Sequence, residues 1–295
     1  MVEELLLGDN PFIGVSHLAQ EKAREEAREA SLENRVRVFE AAVEAGAHGF
    51  TFSTCEANLE LLTHLSAQRG ELLDRMNYYI LVPDAQQYVR RANVGGTPAL
   101  IKSTLKTMIQ RRSSTLEVLA ALMSLRPERF AGIFIENEVA PYLKLLPEEK
   151  VKAVFLHEVL TDLALAFNLV DLLRFLEGYV GKRLRTRFGL ETRNLGILHK
   201  TLSESGWLPE YLMTPLNPLG YQMAPNRRAV EEAVEELGGE AKVMAINVMA
   251  SGAVSLDEAI GYLSRFEDEV YGVTTASTKP HRIRGNLQRL SQAFL

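Results

Sequence analysis

The sequence predicts an α/β fold: a single closed barrel of eight β/α units, with strands inside and helices outside. Three observations carry this. Short apolar runs alternate with longer amphipathic stretches along all 295 residues, and such alternation builds a parallel sheet covered by helices. No linker, low-complexity segment or second composition regime divides the chain, and a lone barrel commonly runs to about 250 residues. Polar side chains gather at the C-terminal ends of the apolar runs, where barrels of this kind keep their chemistry.

Nine segments read as strands: Glu4–Val15, Gly49–Ser53, Tyr78–Val82, Ala131–Ile135, Val151–His157, Arg185–Glu191, Tyr211–Leu216, Val243–Ala250 and Tyr271–Ala276. One is surplus to a barrel. Either Glu4–Val15 covers a capping strand or Ala131–Ile135 is an insertion. Between the strands, Ser31–Ala45 reads as a helix with Ser31 as N-cap and Gly46 as its stop, and Asn226–Leu237 reads as another. Residues 86–129 hold the loop signal Gly95-Gly96-Thr97-Pro98 and then a helical run from Leu100. A wide insertion covering the barrel mouth is expected there, within one domain spanning 1–295.

Composition narrows the function classes. Hydrophobic residues make up 46% of the chain, enough for a large core. A net charge of −5 argues against nucleic acid as a partner. Cys55 is the single cysteine, which excludes an internal disulfide and suits a reducing cytoplasm. The opening MVEELLLGDN lacks the features of a signal peptide, and no apolar stretch approaches the ~18–20 residues that cross a bilayer.

The expected mouth is rich in polar groups: Asp9, Asn10 and His17; Ser53, Thr54, Cys55 and Glu56; Asp84; Glu136 and Glu138; His157 and Glu158; Glu191, Thr192 and Arg193; Asn217; Asn247; Thr275 and Ser277. Thr192, Asp84 and Asn217 read first as caps of the helices that follow. Glu136, His157 and Glu191 read as the catalytic set, because carboxylates are seldom buried unless paired or liganded. In that set His157 is the general acid or base and Glu136 or Glu191 is its charge partner. A divalent metal held by Glu136, His157, Glu158 and Glu191 is the alternative, although no close His pair supports it. No Lys falls at a strand end, which disfavours a Schiff base. Cys55 reads better as a small buried hydrophobe than as a nucleophile. The turn at Asn10-Pro11 should hold Asp9 near the barrel end. Tyr221, in the loop Asn217–Met223, either closes over a ligand or packs on the rim.

The segment VTTASTKPHRIRGN, Val273–Asn286, reads as a strand, a polar turn and a basic helix start. Backbone N–H groups at that helix start, with the Ser277 and Thr278 hydroxyls and Arg282, would make an anion pocket suited to phosphate. The competing reading is a solvated helix face formed by Lys279, Arg282, Arg284 and Arg289.

Four stretches, in order, resemble the aldo-keto reductase superfamily. Ala45–Cys55 resembles its second strand (AG…FFDTA), and Val151–His157 resembles the fourth, which ends in a catalytic His. Leu173–Glu191 resembles its LxxGKVRxIGVS helix and strand. Ser277, Pro280, Arg282, Ile283 and Asn286 match the S-x-x-P-x-R-I-x-x-N segment. Asn217-Pro218-Leu219 and Ala250-Ser251-Gly252 match more weakly. The resemblance implies a TIM barrel. It also implies that Ser277, Thr278, Arg282 and Asn286 sit where the family holds the 2′-phosphate of NADPH. It argues against the family's redox chemistry. Ser53 stands at the position of the family's Asp, no Tyr stands near Asn58, and Val82-Pro83 falls where the Lys is expected. Glu191-Thr192 replaces the pair that holds the carboxamide, and Ile246 replaces the stacking aromatic. The expectation is a barrel of this ancestry that performs non-redox acid–base chemistry on a small, phosphorylated metabolite. A divergent NADPH-dependent oxidoreductase and a non-catalytic ligand- or partner-binding barrel are the alternatives.

Overall fold

A computed structural model gives the fold and describes residues 2–10, 31–83 and 127–295. Eight parallel strands close into a barrel in sequence order: β1 (Glu4–Gly8), β2 (Gly49–Ser53), β3 (Asn77–Val82), β4 (Val151–Leu156), β5 (Arg187–Glu191), β6 (Tyr211–Pro215), β7 (Lys242–Ile246) and β8 (Val270–Thr275), which returns to β1. The described helices are α1 (Leu32–Glu44), α2 (Glu56–Gln68), the short α3 (Gly70–Leu73), α4 (Pro127–Leu143), α5 (Glu158–Ala166), α6 (Val170–Leu184), α7 (Leu195–Ser205), α8 (Arg227–Leu237), α9 (Leu256–Leu263) and α10 (Pro280–Phe294). None of them is long and apolar enough to cross a membrane.

The surplus strand was Ala131–Ile135, which lies inside α4. Its apolar residues continue at helical spacing into Val139 and Tyr142, and Ile135, Val139 and Tyr142 are all buried on one face. The run expected over Val243–Ala250 ends at Ile246, because Asn247 and Ala250 adopt φ of 50° and 46° and turn the chain. Residues 11–15 of the first expected strand, His17, Asp84 and the insertion as far as residue 126 lie outside the described residues. The helix ends agree with their capping residues. Ser31 Oγ accepts the N–H of Asn34 at 3.3 Å, and Asn226 Oδ1 accepts that of Ala229 at 3.0 Å.

Strand parity sorts the core into two layers. On β2, Phe50 and Phe52 face the helices and stack 5.0 Å apart, with Phe39 of α1 edge-on to Phe50 and Tyr142 of α4 against Phe52. Burying each such ring contributes roughly 1.5–3 kcal/mol. The opposite parity fills the interior with Leu6, Tyr79, Leu81, Ala153, Phe155, Tyr211, Met213 and Met244. At the N-terminal end of the strands the interior is sealed by a polar knot. Glu4 accepts hydrogen bonds from the Tyr79 hydroxyl and Asn77 Nδ2, both at 2.7 Å, and from the Tyr271 hydroxyl at 3.2 Å. Lys242 Nζ lies 5.0 Å from the ring centres of both Tyr211 and Tyr271.

One packing detail is testable. A Cβ built on Gly189 would lie 2.6 Å from the Phe155 ring, so the ring lies across β5 where any side chain would clash. Gly189→Ala should cost about 1–3 kcal/mol by overpacking, and Phe155→Leu in the same chain should recover part of it. Urea midpoints of the single and double variants check this coupling; strictly additive losses would show that the ring is not the obstacle.

Candidate active site at the barrel mouth

The C-terminal strand ends form one mouth. Ser53 closes β2, Glu191 closes β5, His157 follows β4, and Ser277 lies two residues beyond β8. Register pairs Leu156 with Leu190, so His157 and Glu191 leave their strands side by side.

Glu191 is the central group. It is buried, and its Oε2 accepts the backbone N–H of Glu158, the first residue of α5, at 3.1 Å. Burial pushes its carboxyl up to about 8; the charge of Glu158 and, to a smaller extent, that of Asp9 add to this, against the Glu158 N–H and Arg193. His157 caps the same helix, with Nδ1 accepting the N–H of Val159 at 3.2 Å. A neutral imidazole held this way carries its proton on Nε2.

Around them runs a network only partly visible in the sequence. Arg193 grips Glu158 through two nitrogens, with Nε 2.6 Å from Oε2 and Nη2 meeting Oε1. Asp162 of α5 accepts from the Thr192 hydroxyl and from the Arg193 N–H at 3.4 Å, and burial raises its carboxyl. Thr192 Oγ1 in turn accepts the N–H of Asn194 at 2.8 Å. Asp162 escaped the sequence reading because it lies mid-helix. The signal was its i,i+4 spacing from Glu158, which puts both carboxylates on one face of α5.

Across the mouth, Asp9 is buried at the end of β1. Its Oδ2 accepts the Ser53 N–H at 2.8 Å and Asn58 Nδ2 at 2.7 Å, and Asn58 Nδ2 also donates to Ser53 O at 3.0 Å. Asp9 thus lies at the barrel end, as expected, while the turn expected at Asn10-Pro11 runs outside the described residues. Asn217 is fully buried, and its side chain binds both the N–H and the carbonyl of Tyr221 at 2.9 Å, holding that half-buried residue's backbone on the rim.

Glu136 is corrected. It belongs to α4, not to a strand end, and meets the Tyr179 hydroxyl at 2.6 Å and Arg183 at 3.2 Å in the helical layer. It therefore does not join His157 and Glu191. The metal set Glu136, His157, Glu158 and Glu191 fails with it, since Glu158 is engaged by Arg193. Among the described residues no group of three or more His, Cys, Asp or Glu side chains is placed to hold a metal ion.

At the start of α10, Ser277 and Thr278 are buried. Ser277 Oγ accepts the Lys279 N–H at 3.1 Å, Asn34 donates to the Thr278 carbonyl at 2.7 Å, and Asn286 donates to Thr275 Oγ1 at 3.0 Å. Arg284 pairs with Glu44, and Arg289 with Asp257. Arg282 is exposed and makes no ion pair among the described residues.

No protein-family model matches the chain, and no curated protein does. Its fold is that of aldo-keto reductases. A structure described as an aldo-keto reductase from Pseudomonas aeruginosa superposes with a TM-score of 0.59 at 14% identity, covering 100% of this chain and 91% of that one. Aldose reductase from Giardia lamblia gives 0.53 at 12%, covering 100% and 88%. A point mutant of Gox0644, solved in complex with NADPH, gives 0.51 at 14%, covering 99% and 84%.

The position of Glu191 makes stability depend on pH. Its folded pKa of about 8 lies above the ordinary 4.5, so between these values the folded protein holds a proton that the unfolded chain has released, and stability falls as pH rises. Glu191→Gln should therefore match the parent near pH 4, gain on it across pH 4.5–8, and keep a constant advantage above. Thermal melts over this range check it; parallel profiles would place the ionisation elsewhere.

Proposed function

We propose that the protein is an enzyme of aldo-keto reductase-like ancestry that performs non-redox proton transfer on a small phosphorylated carbonyl compound. The observation that carries this reading is the buried Glu191 carboxyl beside His157 at the barrel mouth. Glu191 in its ionised form takes a proton from the carbon next to the carbonyl. His157, with its proton on Nε2, donates a hydrogen bond to the developing oxyanion. Arg193, fixed on Glu158, balances the charge beside them. The phosphate would rest at the start of α10, on backbone N–H groups and Arg282. The lone buried cysteine suits a cytoplasmic setting.

The resemblance of the α10 segment to an NADPH-binding one favours a second reading, a divergent oxidoreductase. The residues present suit only the phosphate end of that cofactor. At the other end, Glu191 is engaged by the Glu158 N–H, Ile246 offers no ring to stack, and Asn58 is buried against Asp9 and Ser53 where a proton-donating Tyr is expected.

Three experiments test this reading. Phosphorylated hydroxyketones and aldehydes incubated in D2O should exchange the proton next to the carbonyl, followed by NMR, with a rate that rises with pH and levels off above about 8. Glu191→Gln should lower it by about 100-fold or more. Rapid NADPH oxidation with a carbonyl panel at 340 nm would favour the oxidoreductase, and no turnover in either assay would favour a binding barrel. In a thermal-shift titration with phosphate, Arg282→Ala should weaken binding about tenfold, the worth of one charge-assisted hydrogen bond. An unchanged response would make the basic cluster a solvated helix face.

A further inference from the structure

The inner wall formed by β8, β1 and β2 differs from the rest of the barrel. Phe50 and Phe52 face the helices, so Thr51 and Ser53 face inward. Thr275 is bound from outside by Asn286 of α10, so Thr274 faces inward as well. Between them, on β1, Gly8 carries no side chain. It pairs with Thr51, and a Cβ there would lie 2.9 Å from Thr274 Cγ2. Barrel interiors are usually filled by branched aliphatic residues. Here the wall presents two threonines flanking a glycine, and the hydroxyl oxygens of both are buried without a hydrogen-bond partner among the described residues. Thr51 is only 5% exposed. A buried hydroxyl without a partner is unfavourable, and valine has the same shape without that cost. Packing alone does not account for threonine at both positions.

We propose that Thr51 and Thr274 are specificity-determining residues that bind hydroxyl groups of the substrate, so that the phosphorylated compound is polyhydroxylated. The inference rests on the phosphorylated-substrate reading above. Strands lie about 4.8 Å apart, and Thr51 pairs with Gly8 whereas Thr274 pairs with Leu6, which puts about 12 Å between the two Cα atoms across β1. That spacing suits two hydroxyls of one short carbon chain. The wall adjoins α10, which follows β8, and it faces β4 and β5 across the barrel. A ligand with its phosphate at α10 therefore passes its hydroxyls over Thr274 and Thr51 before its carbonyl end reaches His157 and Glu191.

The test compares ribitol phosphate with ethyl phosphate, and ribitol with ethylene glycol, by calorimetry. The proteins are the parent, Thr51→Val, Thr274→Val and the double variant. The parent should favour the polyol of each pair by about a hundredfold, and each valine should remove about tenfold of that preference. Melting temperatures should stay level or rise, since valine removes only an unpartnered hydroxyl. A parent without the preference, or a double variant that keeps it, overturns the proposal and leaves the threonines as barrel filling or as partners of internal water. Deuterium exchange and its loss in Glu191→Gln are read separately. A polyol preference without exchange would reject the proposed reaction and keep the hydroxyl site.

Discussion

Closure of the sheet is the constraint on which the rest depends. β1 pairs with β2 on one side and β8 on the other, so none of the eight described strands has a free edge. Parallel neighbours around a closed ring must all point the same way. Every strand then ends at one rim, and residues as distant in sequence as Asp9, His157 and Ser277 share it. Closure also fixes parity. A residue facing inward on one strand has inward neighbours on both sides, which is why Leu6, Tyr79, Phe155 and Met213 form one continuous interior.

The polar groups of the mouth differ in what they do for the frame. Where the reductase pattern expects a proton-donating Tyr, Asn58 is fully buried and ties Asp9 to Ser53. Asp9, Ser53 and Asn58 on this side of the rim hold β1, β2 and α2 together. On the opposite side, a carboxyl at the end of β5 is kept away from water and close to another carboxylate. Polar groups thus divide into those that brace the rim and those left in a costly environment. The second kind is the more informative about activity.

Much of this was legible from the chain alone. Apart from the run Glu4–Val15, whose strand ends at Gly8, strand ends were read within a few residues, because apolar runs bounded by Gly, Pro and polar clusters mark them. Ser53, His157, Glu191 and Ser277 were all assigned to one end on that basis. Glu136 was misplaced because Ala131–Ile135 satisfies a strand pattern over five residues, and only the continuation to Val139 and Tyr142 shows a helical period. The Arg193–Glu158 and Thr192–Asp162 contacts could not be read, since they join a loop after β5 to the helix after β4. Pairings of that kind depend on the turn geometry of both connections, which short-range sequence signals leave undetermined.

The knot at the far end of the barrel has a consequence for how such a protein can change. Glu4, Asn77, Tyr79 and Tyr271 are joined by hydrogen bonds, and Lys242 lies over two of the surrounding rings. The vessel is stoppered from below by residues in the first half of their strands, none of which reaches the rim. Loops above can therefore be exchanged, lengthened or mutated without loosening the stopper. For the engineer this is a scaffold with its foundation and its workshop on separate floors, and for evolution it is a route by which one ancestral barrel can be refitted for new reactions while its folding instructions stay in place.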